Sequence, residues 1–429
     1  MKTVRIANGR IIDPANKRDE LADLWIADGV FADPSTGTGQ PSEAELIDAT
    51  GLIVVPGLID MHVHFREPGQ AQKETIATGA RAAAAGGFAS VVCMPNTNPV
   101  ADNAGTITLI REKAQASADV NVFTTGAITK GLAGEELAPY GSMIGAGIVA
   151  ITDDGHCVQN HEVMRCAVEY ARMFGLPVLD HCQDYSLVGN GVMHEGEWSL
   201  RLGLPGWPRI GEEIVVARNI LLAELCDSPI HCQHISSGGS VRLLRAAKTR
   251  GIKISGEVCP HHIALTDRSL QTFDSNYKMN PPLRTERDIE AILEGLADGT
   301  LDVLCSDHAP HAFYEKEVEM DRAPFGITGL ETEFALFCDI LVHKRAVVDL
   351  HRLIEMFTVN PARLLSLDRG TLSVGAAADV TLIDPNLEWT FDREKSHSLS
   401  RNTPFHGMQF KGRAVRTIVA GKTAWVREA

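Results

Sequence analysis

Eight strand-like runs of apolar residues alternate with amphipathic stretches through the middle of the chain. The runs read LIVVPGLIDMHVH, FASVVCMPN, VNVFTTGAI, GIVAITDDG, PVLDHC, PIHCQHIS, IKISGEVCP and LDVLCSDHAPH. Helical patterns lie between them, among them ETIATGARAAAAGG, HEVMRCAVEYARMFG, GEEIVVARNILLAEL and GSVRLLRAAKTRG. Strands that alternate with helices are typical of βα units around a parallel sheet. Eight such units predict an α/β fold, a (β/α)8 TIM-like barrel.

Both ends of the chain have a different pattern, that of short strands joined by tight turns. The pairs Asn8-Gly9, Asp28-Gly29 and Ala420-Gly421 each stand between alternating apolar runs, where a hairpin turn is expected. The two ends therefore predict one small β-sandwich domain, formed by residues 1–56 and 365–429. The barrel is expected to occupy residues 57–364.

Composition narrows the range of functions. The chain has 429 residues, of which 44% are hydrophobic, so it can bury a large core. Its 40 basic and 55 acidic residues give a net charge of −15, which argues against nucleic acid as a partner. No secretory signal or membrane span is apparent in the sequence, and nine scattered cysteines without a CxxC pair indicate reduced thiols. We expect a cytoplasmic protein.

Histidines and aspartates cluster at the carboxyl ends of the apolar runs, the face where barrel enzymes place their active sites. His62 and His64 are two apart on one strand, so both imidazoles can reach one ion. Four later runs end in similar residues, Asp153-Asp154, Asp180-His181, His231 with His234, and Asp307-His308. Successive side chains of a strand point to opposite faces. Only one residue of Asp153/Asp154, and only one of His231/His234, can therefore face the site.

Such a cluster predicts a centre with two metal ions. Several imidazoles and carboxylates would be costly to bury unpaired, whereas divalent ions neutralise the acids and orient the imidazoles. Two neighbouring ions share a bridging water and lower its pKa, which supplies hydroxide for attack on an amide carbonyl. The sequence therefore predicts a metal-dependent hydrolase. Its donors suit zinc, manganese or cobalt.

Six segments together resemble the dihydroorotase family of the amidohydrolase superfamily. They are FREPG, MPNTNP, TDDG, HIS, NPPLR and CSDHAPH, in this order along the chain. The resemblance implies reversible cyclisation of N-carbamoyl-L-aspartate to L-dihydroorotate, the ring-closing step of pyrimidine biosynthesis, on two zinc ions. Many relatives bridge their metals with a carboxylated lysine, whereas AITDDG offers no lysine here. This departure favours the bacterial branch that bridges with aspartate.

The resemblance also implies a role for each residue. His62, His64 and Asp307 would hold one zinc ion, His181 and His234 the other, and Asp154 would bridge both. Asp307 would in addition carry the proton between the nucleophile and the ring nitrogen. The implied contacts to substrate are His64, Arg66, Asn96, Asn280, His311, Phe325 and Gly326. The long polar segment 310–329 suits a loop over the barrel mouth.

Two other functions remain open on the sequence. One is a different cyclic amidase, such as dihydropyrimidinase, hydantoinase or allantoinase, against which Arg66, Asn96 and the bridging aspartate argue. The other is an inactive homologue that serves as a structural partner of aspartate transcarbamoylase, against which the full set of metal ligands argues. A homodimer and an active complex with aspartate transcarbamoylase are both compatible with the sequence.

Overall fold

A computed structural model describes residues 3–33 and 44–428. Its amino-terminal part contributes five short strands to a sheet that is separate from the barrel. They are β1 (Thr3–Asp13), β2 (Arg18–Ala27), β3 (Val30–Ala32), β4 (Glu45–Asp48) and β5 (Ile53–Pro56). Residues 34–43, within the amino-terminal segment predicted for the small domain, lie outside the described residues.

The predicted barrel is confirmed, with one parallel strand in each of the eight apolar runs. The next ten strands are β6 (Leu58–Val63), β7 (Phe88–Cys93), β8 (Asn121–Gly126), β9 (Ile148–Ile151), β10 (Val178–Asp180), β11 (Met193–His194), β12 (Gly206–Trp207), β13 (Ile230–Cys232), β14 (Ile254–Val258) and β15 (Val303–Leu304). The barrel order is β15-β14-β13-β10-β9-β8-β7-β6, and β11 and β12 form a two-stranded sheet. The first and last barrel strands meet where His64 N donates to His308 O at 2.9 Å.

Helices follow the strands on the outside of the barrel. They are α1 (Ile76–Gly86), α2 (Ala104–Ser117), α3 (Tyr140–Ala146), α4 (His161–Arg172), α5 (Tyr185–Val188), α6 (Glu197–Leu202), α7 (Ile210–Cys226), α8 (Gly238–Thr249), α9 (His261–Ala264), α10 (Glu286–Ala297), α11 (Phe313–Lys316), α12 (Glu333–Phe337), α13 (Leu350–Phe357) and α14 (Val359–Leu364). The four helices predicted from the sequence are confirmed as α1, α4, α7 and α8. Within the described ranges, no helix is both long and apolar enough to cross a membrane.

Helix caps explain why the chain turns back where it does. Thr75 begins α1 by accepting a hydrogen bond from Thr78 N, and Gly87, at φ 99°, ends it. Asn160 caps α4 in the same way through its side chain. Helices α1 and α4 thus begin only after the loops that follow β6 and β9, and those loops lie at the carboxyl ends of the strands, where the site is.

The carboxyl-terminal strands join those of the amino terminus in one sheet. They are β16 (Val380–Thr390), β17 (Gln409–Val419) and β18 (Lys422–Val426), and the order is β18-β17-β16-β5-β1-β2-β3, with β4 beside β1. Many of its apolar side chains form a core of their own, while Ile12, Ile53, Val55 and Ile383 pack into the core of the barrel. On this pairing we propose that residues 1–56 and 365–429 act as one domain beside the barrel of residues 57–364.

Two of the three predicted hairpin turns are confirmed, and one is wrong. Asp28-Gly29 joins β2 to β3, and Ala420-Gly421 joins β17 to β18, all four residues having positive φ. Asn8-Gly9 instead lies inside β1, where the register with β2 shifts between Ile6 and Gly9. Asn8 adopts φ 64° there, so the left-handed residue forms a bulge in a continuous strand and not a turn.

The first predicted apolar run spans two sheets and not one strand. Its first part is β5, which pairs with β1 and β16, and its second part is β6 of the barrel. Gly57 is the junction, and its N–H donates to Asp379 O at 2.8 Å. A Cβ at this position would lie 2.4 Å from Ala89 Cβ and 3.0 Å from Asp379 Cβ. Only glycine lets the two sheets approach this closely.

We therefore expect Gly57→Ala to lower the free energy of unfolding by about 1–3 kcal/mol, the usual cost of overpacking a filled core. Gly145→Ala in α3 is the matched control, because nothing lies within 4 Å of its added Cβ. That substitution should leave stability unchanged or raise it by up to ~1 kcal/mol. Chemical denaturation of both variants measures the difference, and equal midpoints would refute the role given to Gly57.

Candidate metal centre and substrate pocket

A pocket of about 180 Å³ opens at the carboxyl ends of the barrel strands. At ~30 Å³ per water it would hold about six waters, a size that suits a small molecule. Eleven of the twelve site residues predicted from the sequence line it, namely His64, Arg66, Asn96, Asp154, His181, His234, Asn280, Asp307, His311, Phe325 and Gly326. The twelfth, His62, is fully buried beside Asp154.

Asp154 occupies the centre of the cluster. Its Oδ1 lies 3.3 Å from His62 Nε2, 3.5 Å from His181 Nδ1 and 3.6 Å from His234 Nε2. Its Oδ2 faces the other way, 3.4 Å from His64 Nε2. One carboxylate thus contacts all four imidazoles and presents one oxygen towards each side of the cluster. This arrangement suits a carboxylate shared between two cations.

His62 is held so that one nitrogen is free for a metal. Its Nδ1–H donates to Glu257 Oε1 at 2.6 Å, which leaves a lone pair on Nε2. That Nε2 is buried, has no hydrogen-bond partner among the described residues and faces Asp154 and, at 3.6 Å, Asp307. A lone pair that faces two carboxylates is unfavourable unless a cation or proton lies between them. The donors therefore fit a metal ion.

His181 and His234 show the same feature on the other side of Asp154. His181 Nδ1 lies 2.7 Å from His234 Nε2, while His181 Nε2 is 2.8 Å from Gln183 Oε1. Since Nε2–H of His181 donates to Gln183, its Nδ1 carries a lone pair directed at His234. Two imidazole nitrogens that converge in this way are well placed to share one cation.

Asp307 lies beside His64 at the other edge of the cluster. His64 Nε2 is 3.1 Å from Asp307 Oδ1, and His64 Nδ1 donates to Asn96 Oδ1 at 2.9 Å. The groups His62, His64, Asp307 and His62, Asp154, His234 each offer three donor atoms within 4.8 Å of one another. These two overlapping groups provide nitrogen and carboxylate donors of the kind that bind divalent metal ions.

The electrostatics of the cluster keep the carboxyl groups of Asp154 and Asp307 ionised. Burial disfavours the charge of Asp154, but the neighbouring imidazoles, His62 foremost, outweigh this and hold its pKa well below the usual range. Burial likewise opposes ionisation of Asp307, and the imidazoles of His62 and His64 lower its pKa. Conversely, three carboxylates raise the pKa of buried His62 well above its usual value. Negative charge therefore concentrates where the cations would bind.

Three site residues have positive φ angles, which residues other than glycine rarely adopt. The φ values are 58° for Arg66, 34° for His234 and 46° for Asp307. Each costs of order 1–3 kcal/mol, which the surrounding structure must offset. At His234, a hydrogen bond from each neighbouring residue offsets this cost. Gln233 N donates to Asp180 O at 3.0 Å, and Ile235 N donates to Glu257 O at 2.9 Å. The strain orients donor groups that a regular strand could not bring together.

The pocket wall opposite the cluster offers groups that would recognise a polar ligand. Arg66 is nearly buried, and its Nε–H donates to Pro310 O at 3.1 Å, which leaves the rest of the guanidinium for a ligand. Burial lowers its pKa to about 10, so it remains a cation. Asn280 donates to Gln183 Oε1 at 3.1 Å, while its Oδ1 is buried without a partner and can accept an N–H.

The segment 310–329 lies against the pocket and is tied there by Asn402. His311 Nε2 donates to Phe325 O at 2.8 Å, and Asn402 bonds the backbone of His311 and Gly326. Burial lowers the pKa of His311 to about 2, so the neutral ring has no second N–H to give a ligand in this arrangement. Gly326, at φ 143°, leaves no room for a side chain beside Ala309.

Asp153 and His231, which the family resemblance does not name as metal ligands, make structural hydrogen bonds. Asp153 accepts hydrogen bonds from the backbone of Ile128 and Thr129 and from the Thr129 hydroxyl, so it braces a loop. His231 is buried between Ser255 Oγ at 2.7 Å and Glu257 Oε2 at 3.1 Å. Neither side chain lines the pocket.

Sequence reasoning missed the residues that hold the ligands in place. Glu257, fully buried, bonds His62 Nδ1, the backbone N–H of His234 at 3.2 Å and His231. Asp60 joins the first and last barrel strands by accepting from His62 N and from Ser306. A buried acid in the apolar run IKISGEVCP was the one signal for Glu257. Nothing in the sequence marked Asn402 or Gln183.

Comparisons with known proteins agree over the whole chain. The Dihydro-orotase-like family matches residues 51–240, and the Amidohydrolase family matches residues 224–424. A dihydroorotase of Citrifermentans bemidjiense is 50% identical over 420 residues, covering 98% of this chain and 99% of its own. One of Geotalea daltonii is 50% identical over 423 residues, covering 99% of both chains. An L-hydantoinase (dihydropyrimidinase) of Arthrobacter aurescens shares the fold, with a TM-score of 0.88, 23% identity and coverage of 99% and 96%.

The contacts of Glu257 generate a prediction. Glu257→Gln should lower metal affinity about 10- to 100-fold, because the carboxylate that fixes the ring of His62 is replaced by a neutral group. Glu212→Gln is the matched control: this buried acid bonds Ser236, Ser237 and Ser240 and touches no predicted ligand. Competition with a chelator measures affinity in both variants. Equal affinity would show that Glu257 does not support the metal centre.

Proposed function

This chain belongs to the dihydroorotase family, and on that premise we propose that it interconverts N-carbamoyl-L-aspartate and L-dihydroorotate in pyrimidine biosynthesis. One observation carries the assignment most directly. The guanidinium of Arg66 lines the same small pocket as the buried cluster around Asp154. A ligand in this pocket can thus present a carboxylate to a fixed cation while its amide carbonyl meets the donor cluster.

We propose His62, His64, Asp154, His181, His234 and Asp307 as the residues that hold two Zn²⁺ ions per chain. When bound, such ions would lower the pKa of a water and polarise the carbonyl that it attacks. Support comes from the unpartnered Nε2 of His62 and from the converging nitrogens of His181 and His234. Asp154, with one oxygen towards each side, is the proposed bridge.

Asp307 is our proposed acid and base. Its pKa is low, so the group is a carboxylate at neutral pH and can accept a proton. In hydrolysis a water oxygen bonds to the ring carbonyl carbon, and Asp307 takes the proton that this water loses. The same group then gives the proton to the ring nitrogen as the carbon–nitrogen bond breaks and a carboxyl group remains. Ring closure reverses these steps.

We assign recognition of the substrate to the pocket wall opposite the cluster around Asp154. Arg66 would bind the carboxylate through its free N–H groups, and Asn280 Oδ1 would accept an N–H of the substrate. Asn96 orients His64 through its Oδ1 and can offer its amide N–H groups to the ligand. Phe325 and Gly326 would close the pocket. His311 can donate to a carboxylate only if its ring is protonated or released from Phe325 O.

The rival cyclic amidases share this barrel. Hydantoins and dihydrouracil lack the carboxylate of dihydroorotate, so a buried arginine in the pocket would be left unpaired when they bind. The cost of this unpaired arginine is the physical reason to favour dihydroorotate, which has a carboxylate, as the substrate. Together with the role in pyrimidine biosynthesis we propose a cytoplasmic location. A homodimer and a complex with aspartate transcarbamoylase stay predictions.

The direct test compares hydrolysis of dihydroorotate with that of hydantoin, dihydrouracil and allantoin by the metal-loaded protein. We expect turnover of dihydroorotate and little or none of the others. Turnover of the other three without dihydroorotate would reject the assignment. Absence of all four activities in protein with full metal content would favour an inactive homologue.

Asp307→Asn should lower kcat about 10²- to 10⁴-fold, the usual contribution of a general acid and base. The remaining five ligands should keep metal bound at saturating concentration, so metal content is measured alongside the rate. Asp119→Asn, an exposed site, is the control. A rate near that of the unmodified protein would remove the proton-transfer role from Asp307.

Arg66→Met should raise KM for dihydroorotate about 10- to 100-fold with a smaller effect on kcat. The variant loses a charge-assisted hydrogen bond to the carboxylate, worth roughly 1.5–3 kcal/mol. Arg81→Met on the exposed side of α1 serves as the matched control. An unchanged KM in the Arg66 variant would place the carboxylate elsewhere.

A further inference from the structure

A second group of metal-binding side chains follows β14, one of the three barrel strands, with β7 and β8, that contribute no ligand to the proposed catalytic centre. Cys259, His261 and His262 are all buried, and each offers a donor atom within 4.8 Å of the other two. The two imidazole rings lie 4.3 Å apart between centroids. We propose that these three residues form a separate site for one soft divalent cation such as Zn²⁺.

The hydrogen bonding of the two histidines supports this proposal. His262 Nε2 donates to Pro281 O at 3.0 Å, so its Nδ1 carries a lone pair, and that buried atom has no partner within residues 3–33 and 44–428. His261 Nε2 is also buried and has no partner in the described part of the chain. Each ring therefore has an uncommitted nitrogen in an interior where polar atoms are almost always paired. A bound cation would satisfy both.

The charge state of the cluster suits a metal as well. Burial lowers the pKa of His262 to about 3 and that of His261 well below its usual value, so both rings are neutral donors. Burial raises the pKa of the Cys259 thiol to about 11, so a cation would have to displace its proton. The resulting thiolate would offset one of the two positive charges brought into the core.

The donor types identify the class of ion. One sulfur and two imidazole nitrogens are ligands of zinc, cobalt or cadmium, whereas magnesium and calcium prefer oxygen. Bond lengths of ~2.0–2.3 Å place the ligands of a tetrahedral zinc ion ~3.5 Å apart, so a 4.8 Å group needs only small side-chain movements. Cys305 Sγ lies 3.5 Å from Cys259 Sγ, but its metal-binding neighbours are His62 and Glu257 and not the two histidines, so we propose a site with three ligands from the protein.

Cobalt distinguishes this site from the catalytic one by its spectrum. The six proposed catalytic ligands supply only nitrogen and oxygen, so a thiolate-to-cobalt charge-transfer band in the near ultraviolet requires a cysteine ligand. We expect this band when the full-length protein is loaded with Co²⁺. We also expect about one more zinc equivalent per chain in the unmodified protein than in Cys259→Ser.

Three variants make the test decisive. The band should disappear in Cys259→Ser and in His261→Asn, and it should persist in Cys182→Ser, whose cysteine adjoins the proposed ligand His181. Absence of the band in the unmodified protein, loss of it only in Cys182→Ser, or equal zinc content with and without Cys259 would each overturn the proposal. These readouts need no turnover, so they stand or fall separately from the proposed activity.

Discussion

Asp154 is the group on which the rest of the site depends, because a carboxylate buried among four imidazoles is stable only with positive charge beside it. Its two oxygens face opposite sides of the cluster, and every proposed histidine ligand lies within 3.6 Å of one of them. Without a cation, the neighbouring imidazoles must supply that charge as protons, as the raised pKa of His62 indicates. Divalent ions would satisfy the same requirement and leave the imidazoles neutral.

This requirement explains how the surrounding barrel is built. Glu257 on β14 fixes His62 on β6 and the backbone of His234 after β13, so one buried acid orders ligands from two strands. Asp60 joins β6 to Ser306 after β15, where the barrel closes. The strained backbones of His234 and Asp307 lie on these same connections. Stability contributed by the barrel core thus offsets the strain that aims the ligands.

The barrel does not by itself determine which cyclic amide is used. The hydantoinase of Arthrobacter aurescens has the same fold at 23% identity, so specificity must come from the pocket wall and not from the scaffold. Here that wall carries Arg66 and Asn280, with the segment 310–329 held against it by Asn402 from the far end of the chain. A residue of the carboxyl-terminal segment therefore helps to shape a pocket at the carboxyl ends of the barrel strands.

The sequence by itself determined the eight barrel strands and four of the helices, because the periodicity of strands and helices is a local property. Its resemblance to the dihydroorotase family supplied the twelve candidate site residues. The sequence pattern misplaced Asn8-Gly9, since an Asn-Gly pair has the same local signature in a bulge as in a turn, and only the register of β1 against β2 distinguishes the two. Only the tertiary structure decided which atoms of those residues face one another. The supports Glu257, Asp60 and Asn402 act on partners that are distant in the chain, for Asn402 91 positions away at His311, and no local pattern encodes such contacts.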